Sequence, residues 1–456
     1  MSDLLLSLGN NPMARRAVRT LGLPVPLPPN LRRAEGRDGD DALAGRRVVV
    51  LGPQGRDAGF AAVAARAAID AGADVDAARI HADAAADASP TDAFVVDATE
   101  LAQPADLRRL YDALHGRIGG LRSSGRLVVV GRPDATAPDR AAAAARAGLE
   151  GFVRALGKEL GRKGSTANLL RVDEGADAFA AGPLRFLLSA RAAFVSGQPL
   201  RVQSSATEPS ASVALDGRSA LVTGAARGIG AEIARRLAEQ GARVLLLDLP
   251  AAREPLQAMA ERIGGVALPF DLAAAGAQQD AIDAALAQVG RLDVLVNNAG
   301  ITRDRTLAKM PPAHWDLCLA VNLEAGIGLT EALLARGGLG EGGRVVFMSS
   351  IGGIAGNPGQ TNYATAKRAL IGYAATLAGD LDGGRTANCI APGFIETQMT
   401  AAMPALVREA GRRLNSLSQG GRPGDIADAV AFLASPAAAG VNGQTLRVCG
   451  QHLTGA

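Results

Sequence analysis

Short apolar runs and longer alanine-rich stretches alternate along this chain, and they do so twice. Arg47 to Leu51 (RVVVL), Phe94 to Val96 and Leu127 to Val130 form one series, each followed by a stretch long enough for a helix. Ala220 to Val222, Val244 to Leu247, Val294 to Val296 and Val345 to Phe347 form the second. A strand that is apolar throughout, not at alternate positions, is buried on both faces, and helices in the connections cover it. The pattern therefore predicts an α/β chain with two doubly wound parallel sheets.

The two series also resemble each other in sequence. Phe186 to Val202 (FLLSARAAFVSGQPLRV) and Phe432 to Val448 (FLASPAAAGVNGQTLRV) align without gaps at an offset of 246. Leu149 to Phe152 matches Leu370 to Tyr373 inside a long helix, and Leu43 to Arg46 matches Leu215 to Arg218 before a first strand. Compositional bias can produce the short matches but hardly the long one, so an internal duplication is expected. Residues 1–40, with Pro24, Pro26, Pro28 and Pro29, read as an arm, 41–203 as the first domain, 204–212 as a polar linker, and 213–456 as the second domain.

Composition excludes several functions. The net charge of +3 and 3% aromatic residues offer neither a polybasic surface nor stacking platforms, so no nucleic acid is expected. Four dispersed His and three scattered Cys, without HExxH or CxxC, argue against a metal site and fit free thiols in a reducing compartment. Asp3 stands where a signal peptide carries positive charge, and no run of about 18 apolar residues occurs, so a cytoplasmic protein without a membrane span is expected.

In the second half, the strand at Ser219 to Val222 runs into Thr223-Gly224-Ala225-Ala226-Arg227-Gly228-Ile229-Gly230, followed by a helix from Ala231 to Gln240. This spacing puts backbone N–H groups at a helix N-terminus, where the dipole favours a pyrophosphate. A second strand ends in Asp248, 18 residues after Gly230, near the spacing at which a carboxylate meets the adenine-ribose hydroxyls. A carboxylate there repels a 2′-phosphate, so NAD(H) is expected over NADP(H), although the Arg227 guanidinium is able to accept such a phosphate.

TGAARGIG, Asn297-Asn298-Ala299-Gly300, the spacing of Ser350 to Tyr363, Tyr363-xxx-Lys367 and Pro392-Gly393 together resemble the short-chain dehydrogenase/reductase family. Within it, ITRD after NNAG, GQTNYATAK and APGFIETQMT resemble the β-ketoacyl-acyl-carrier-protein reductases. The doubled length, GRRLNSLSQGG and RVCGQ resemble their high-molecular-weight form. The resemblance covers about 213–456 in full, and the first half only in skeleton. It implies two Rossmann-like domains, the first degenerate and flavodoxin-like.

Tyr363 and Lys367 lie four apart on an expected helix, hence on one face. Ketone reduction needs hydride at carbon and a proton at oxygen. A phenol is a weak acid at neutral pH, and an adjacent ammonium is expected to lower its pKa. The resemblance implies that Lys367 also bonds the nicotinamide ribose, that Ser350 orients the carbonyl, and that Asn322 holds a proton-relay water. The 13-residue spacing to Tyr363 selects Ser350 over Ser349. For the cofactor, the resemblance implies Gly224, Arg227, Gly228, Ile229 and Gly230 at the phosphates, and Asp248 with Leu249, Asp271 and Leu272 at the adenosine. It further implies that Asn298, Ala299, Gly300 and Val321 line the ribose side, with Tyr363 and Lys367, and that Pro392, Gly393, Ile395 and Thr397 hold the amide and diphosphate. The sequence departs at Gln398, where many relatives have Asp, next to a helical lid. Cys318, Cys389 and Cys449 sit in apolar sequence and suit packing. Arg303, Arg305 and Lys309 read as a solvated face, with a contact to an acidic carrier or a CoA phosphate as the alternative.

The first half lacks this equipment. Through the repeat, Tyr363 falls on Ala142, Lys367 on Arg146, Arg344 on Arg126 and Ser350 on Arg132. In its own turn, Leu51 to Ala58, two of three glycines become Arg56 and Ala58, which should block a pyrophosphate. It is expected to be non-catalytic and to replace a partner subunit, so that a homodimer of two-domain chains mimics a tetramer. The expected activity is NADH-dependent reduction of 3-oxoacyl thioesters, on acyl-carrier protein or CoA, in fatty-acid metabolism. The alternative is a dehydrogenase for another ketone or secondary alcohol, or for 3-hydroxyacyl-CoA oxidation.

Overall fold

A computed structural model describes residues 3–21, 27–39, 41–53, 58–80 and 89–453. Pro24, Pro26, Arg56 and His81 therefore lie outside the described residues. The first sheet contains β1 Arg47–Gly52, β2 Asp74–Arg79, β3 Thr91–Asp97, β4 Leu121–Gly131, β5 Thr166–Val172 and β6 Pro199–Val202. Its order is β2-β1-β3-β4-β5-β6. The second contains β7 Ser219–Thr223, β8 Arg243–Asp248, β9 Val266–Pro269, β10 Leu292–Asn297, β11 Leu339–Met348, β12 Thr386–Pro392 and β13 Thr445–Val448. Its order is β13-β12-β11-β10-β7-β8-β9. The strand pairs in both sheets are parallel, and their central residues are buried on both faces, as the continuous apolar runs require. The two orders superpose if β9 is left without a counterpart. In both, the order reverses beside the first strand, and the crevice for a ligand opens there, at the carboxyl ends.

The register makes the repeat physical. Arg126 pairs with Ala93 and Thr166, and Arg344 with Val294 and Thr386. Both guanidiniums are buried, and burial pushes their pKa values down to about 9 and about 10. The Arg126 Nε donates to the Ser189 carbonyl at 3.0 Å and the Arg344 Nε to the Ser435 carbonyl at 3.4 Å. Those serines are themselves 246 residues apart.

The two long matching segments pack against each other. The Phe186 and Phe432 rings stack at 4.4 Å with 1° between planes. The Gln444 side chain accepts from the Arg201 N–H and donates to the Arg201 carbonyl, both at 2.7 Å, and the Gln198 side chain accepts from the Arg447 N–H at 3.3 Å. Asp428, between Arg191 at 2.8 Å and Arg236 at 3.0 Å, has its pKa raised to about 6 by burial. One apolar core consequently runs through this contact from Val48 and Val50 to Leu446 and Val448.

One expectation needs qualifying. The sequence has no uninterrupted apolar run of membrane-spanning length, yet the continuous helix Pro312–Ala335 reaches a mean hydropathy of 1.5, with 39% of that window buried. Leu329 and Leu333 place its inner face in the second core. Its leucines, Val321 and Ile327, interrupted by Asn322, Glu324 and Glu331, account for the value.

Candidate active site

The Gly-rich turn between β7 and the helix Gly228–Glu239 permits no side chains at two of its glycines. Gly224 has φ 66°, and a Cβ there meets the Ala299 Cα at 3.0 Å. A Cβ on Gly230 falls 2.1 Å from the Gly224 carbonyl oxygen. The Thr223 hydroxyl accepts from the Asn298 and Ala299 N–H groups, both at 3.0 Å, and the Asn298 amide donates to the Thr223 carbonyl at 2.9 Å. These bonds tie the end of β10 to the turn. Thr223 was not singled out in the sequence, and only its place opening the Gly-rich motif marked it.

A cleft of about 740 Å³ opens above this seam. Gly224, Arg227, Gly228, Ile229, Gly230, Asp248, Leu249, Asp271, Leu272, Asn298, Ala299, Gly300, Val321 and Thr397 all line it. Pro392, Gly393, Ile395, Tyr363 and Lys367 do not. Pro392 ends β12, a Cβ on Gly393 falls 2.7 Å from the Cys449 Cβ, and Ile395 is buried beside Gly421. Phe270, Thr302, Gln398 and Met399 also line the cleft, though the sequence gave them no role. Asp248 Oδ2 accepts from the Ala226 N–H at 2.9 Å and Oδ1 from the Leu249 N–H at 2.8 Å. These bonds fix the carboxylate in the wall of the cleft. The glycine cradle, the helix N-terminus and the placed carboxylate fit a dinucleotide.

Asn322 sits in a π-helical turn, Ala320–Glu324, within the long apolar helix. Such turns replace the regular ladder and recur at functional positions. Its amide accepts from the Ile301 N–H at 3.1 Å and donates to the Ile301 carbonyl at 2.9 Å and the Cys318 carbonyl at 2.8 Å. A Cβ on Gly300 meets Asn322 Oδ1 at 2.7 Å and Lys367 Nζ at 3.3 Å, so the cleft wall and the catalytic candidates touch here.

Ser350 ends the β11 edge and caps the helix Ile351–Ala355, its hydroxyl accepting from the Gly352 N–H at 3.1 Å. It also lies near enough to Tyr363 to pull the phenol's pKa down. Its neighbour Ser349 instead donates to the Lys367 carbonyl at 2.7 Å. Tyr363 and Lys367 share one face of the helix Thr361–Asp380, with Nζ 5.6 Å from the ring centroid. The ammonium does not lower the phenol's pKa as the sequence suggested. Burial raises the Tyr363 phenol, against the lowering effect of Ser350. Burial brings Lys367 down to about 8, and its Nζ donates to the Met348 carbonyl at 2.8 Å. Desolvation is the largest cause for both groups. All three cysteines are buried and free, and burial raises the thiols of Cys318 and, to about 12, Cys389.

Among the described residues, the corresponding edge of the first sheet is engaged by the chain's own side chains. Asp97 lies four residues beyond Ala93, as Asn298 lies four beyond Val294, and these two pair with the matching residues Val48 and Ala220. The Asp97 carboxylate accepts from the Ala61 N–H at 3.0 Å, in the first turn of the helix Gly59–Asp70, and from Thr99 N–H at 3.0 Å. A protein carboxylate thus holds the helix N-terminus. Arg132, in the place of Ser350, donates to the Val172 and Asp173 carbonyls and to Asp177, and Arg146, in the place of Lys367, donates to the Pro133 carbonyl.

Known proteins match this second half. The family model described as Enoyl-(Acyl carrier protein) reductase matches residues 224–450. The 3-oxoacyl-acyl-carrier-protein reductase FabG of Thermotoga maritima is 38% identical over 242 residues, which are 52% of this chain and 98% of the relative. The reductase of the same name from Escherichia coli is 40% identical over 243 residues, 52% of this chain and 97% of the relative. A crystal structure of a short chain dehydrogenase from Burkholderia cenocepacia in complex with NADP shares 38% identity and a TM-score of 0.49, covering 52% of this chain and 98% of its own. With near-complete relatives aligned through the Gly-rich turn, the YxxxK helix and the cleft between them, the chain belongs to the short-chain dehydrogenase/reductase family and is an NAD(P)-dependent oxidoreductase.

Proposed function

We propose that the chain reduces a 3-oxoacyl thioester, carried by acyl-carrier protein or CoA, to the 3-hydroxyacyl thioester, with NADH as reductant. The observation that carries the reading is the Ser350–Tyr363–Lys367 group, with Lys367 buried and Ser350 and Tyr363 half-buried, which meets the cleft wall where Lys367 approaches Gly300. A bound reduced nicotinamide supplies the hydride. The Ser350 hydroxyl orients the ketone oxygen, and the Tyr363 phenol donates the proton to it. Because burial raises the phenol's pKa, the proton is in place at neutral pH, which suits reduction. Lys367, held near its titration point by burial, is a ready proton source for re-protonating Tyr363.

The Asp248 carboxylate, fixed by two N–H groups, supports NADH over NADPH, since a 2′-phosphate beside it meets a like charge. The occupied sites at Asp97, Arg132 and Arg146 support a first half that neither binds dinucleotide nor catalyses. The contact between the repeated segments supports that half as a built-in partner, with a homodimer completing a tetramer-like assembly. The partly uncovered apolar helix Pro312–Ala335 suits the second contact.

The test is NADH oxidation with acetoacetyl-CoA and longer 3-oxoacyl thioesters. Tyr363→Phe should lose about 10²- to 10⁴-fold in kcat while still binding NADH. Retained turnover refutes the reading. One NADH per chain, and twice the chain mass in sedimentation, are expected. Two NADH per chain refute the inert half.

A further inference from the structure

The described arm and the first half both reach the segment that follows the cleft. Thr397 caps the short helix Gln398–Ala401, and the helix Ala405–Arg413 follows. Thr397, Gln398 and Met399 line the cleft, so this segment is its cover, corresponding to the helical lid that the sequence resemblance implies.

The far end of this lid is held from outside the second domain. The Arg413 guanidinium donates to both Asp3 carboxylate oxygens, at 2.5 and 3.0 Å, and to the Ser418 carbonyl at 2.6 Å. Asp3 also caps the helix Leu4–Asn10, accepting from the Leu6 N–H at 3.0 Å. Between Leu4, Leu5 and Leu406 a groove of about 650 Å³ remains. The arm and the lid are therefore joined by the ion pair and not by continuous packing. Beyond the lid, the Ser416 carbonyl lies against the end of the first half's long helix, 2.1 Å from a Cβ built on Gly161. Gln451, whose main chain accepts from the Ser416 N–H at 3.2 Å, donates its amide to the Arg154 carbonyl of the same first-half helix at 2.6 Å. The Gln419 amide donates to the Pro29 carbonyl at 2.8 Å. Ser418 and Gln451 carry φ values of 53° and 59°, a strained region for such residues, so the surroundings must hold the lid's exit in place.

We propose that the arm and the first half anchor this lid, with Asp3 and Gln451 as positioning residues that set how tightly the acyl thioester is held. The first half thus has a task beyond replacing a partner subunit. A lid with one loose end samples open positions, and the substrate then binds at the cost of closing it. The inference rests on the proposed reaction for its kinetic arm only.

Asp3→Ser keeps a helix-capping hydroxyl and removes the ion pair. Gln451→Ala removes the bond to Arg154. Each variant should raise the KM for a 3-oxoacyl thioester by about three- to tenfold, with kcat within about twofold and unchanged NADH affinity and Tm. Asp3→Glu, which keeps the charge, should recover most of the KM. Trypsin cleavage at Arg408, Arg412 and Arg413 supplies a readout without substrate and should accelerate in Asp3→Ser and Gln451→Ala. Unchanged KM and cleavage overturn the anchoring. So does a joint fall in kcat, NADH affinity and Tm. If the wild type reduces no 3-oxoacyl thioester while cleavage still accelerates, the proposed reaction fails and the anchoring stands.

Discussion

Replacing the buried ammonium of Lys367 by a methionine should make the protein more stable at neutral pH while abolishing its chemistry. Burial brings the Lys367 pKa from 10.5 to about 8. At 1.36 kcal/mol per unit this makes the charged form about 3 kcal/mol less stable in the fold than in the unfolded chain. The hydrogen bond to the Met348 carbonyl, at 2.8 Å, is lost in Lys367→Met and costs about 1 kcal/mol. The net gain is then about 2 kcal/mol at pH 7, read as a higher urea midpoint at unchanged m. The sign follows from the depressed pKa of a base. Below pH 8 both states carry the proton and the wild type bears the full cost. Between pH 8 and 10.5 the folded lysine is neutral while the unfolded one still binds a proton, so wild-type stability climbs with pH. The gap between the two proteins should therefore narrow from pH 7 to pH 10. A less stable Lys367→Met at pH 7, or a gap that does not change with pH, refutes the claim that the site stores this energy.

Three further outcomes are expected. Asp248→Asn keeps an acceptor for the Ala226 N–H but removes the charge; the ratio of kcat/KM for NADPH over NADH should rise by about tenfold, and an unmoved ratio refutes the role of the carboxylate. Asp97→Ala strips the first helix of its capping carboxylate and should cost about 1–2 kcal/mol in urea unfolding, with NADH stoichiometry still one per chain. Phe432→Ala removes a buried ring stacked on Phe186 across the two halves and should cost about 3–5 kcal/mol. Separate unfolding of the two halves, where the wild type gives one transition, is the sign that this contact couples them.

The alternation of apolar runs and helices made the sheets legible, because strands such as β1, β7 and β10 are buried on both faces and must be apolar along their length. β5 and β6 were harder to see. β5 carries Thr166, Asn168 and Arg171, of which Asn168 donates to the Val195 carbonyl at 3.0 Å and Arg171 to Glu150 at 2.8 Å. The tetrad was legible because YxxxK and the 13-residue spacing to Ser350 are local. Its electrostatics were not, since burial sets the direction of both pKa shifts and no spacing reports burial. Nor was the Asp3–Arg413 pair, whose partners stand 410 residues apart. Asp97 was missed because an aspartate ending a strand has no signature until the helix it caps is placed.

What the duplicate kept and what it changed divide by the kind of partner each side chain has. Arg126 and Arg344 are buried, bond serine carbonyls in matching positions, and sit in matching registers. Their partners belong to the fold itself. Buried guanidiniums with pKa values pushed down leave orphaned carbonyls if removed, so each half retains its arginine to satisfy its own chain. At the carboxyl edge, where the second half has its cleft, the first half engages its own atoms. Asp97 takes the helix N-terminus, Arg132 bonds two carbonyls and Asp177, and Arg146 bonds Pro133. Each change replaces a residue of the candidate site by one whose polar group bonds the first half's own chain. Among the described residues, Asp97, Arg132 and Arg146 are engaged within the chain, which supports the proposal that this half serves as packing for the other half and as the support of its lid.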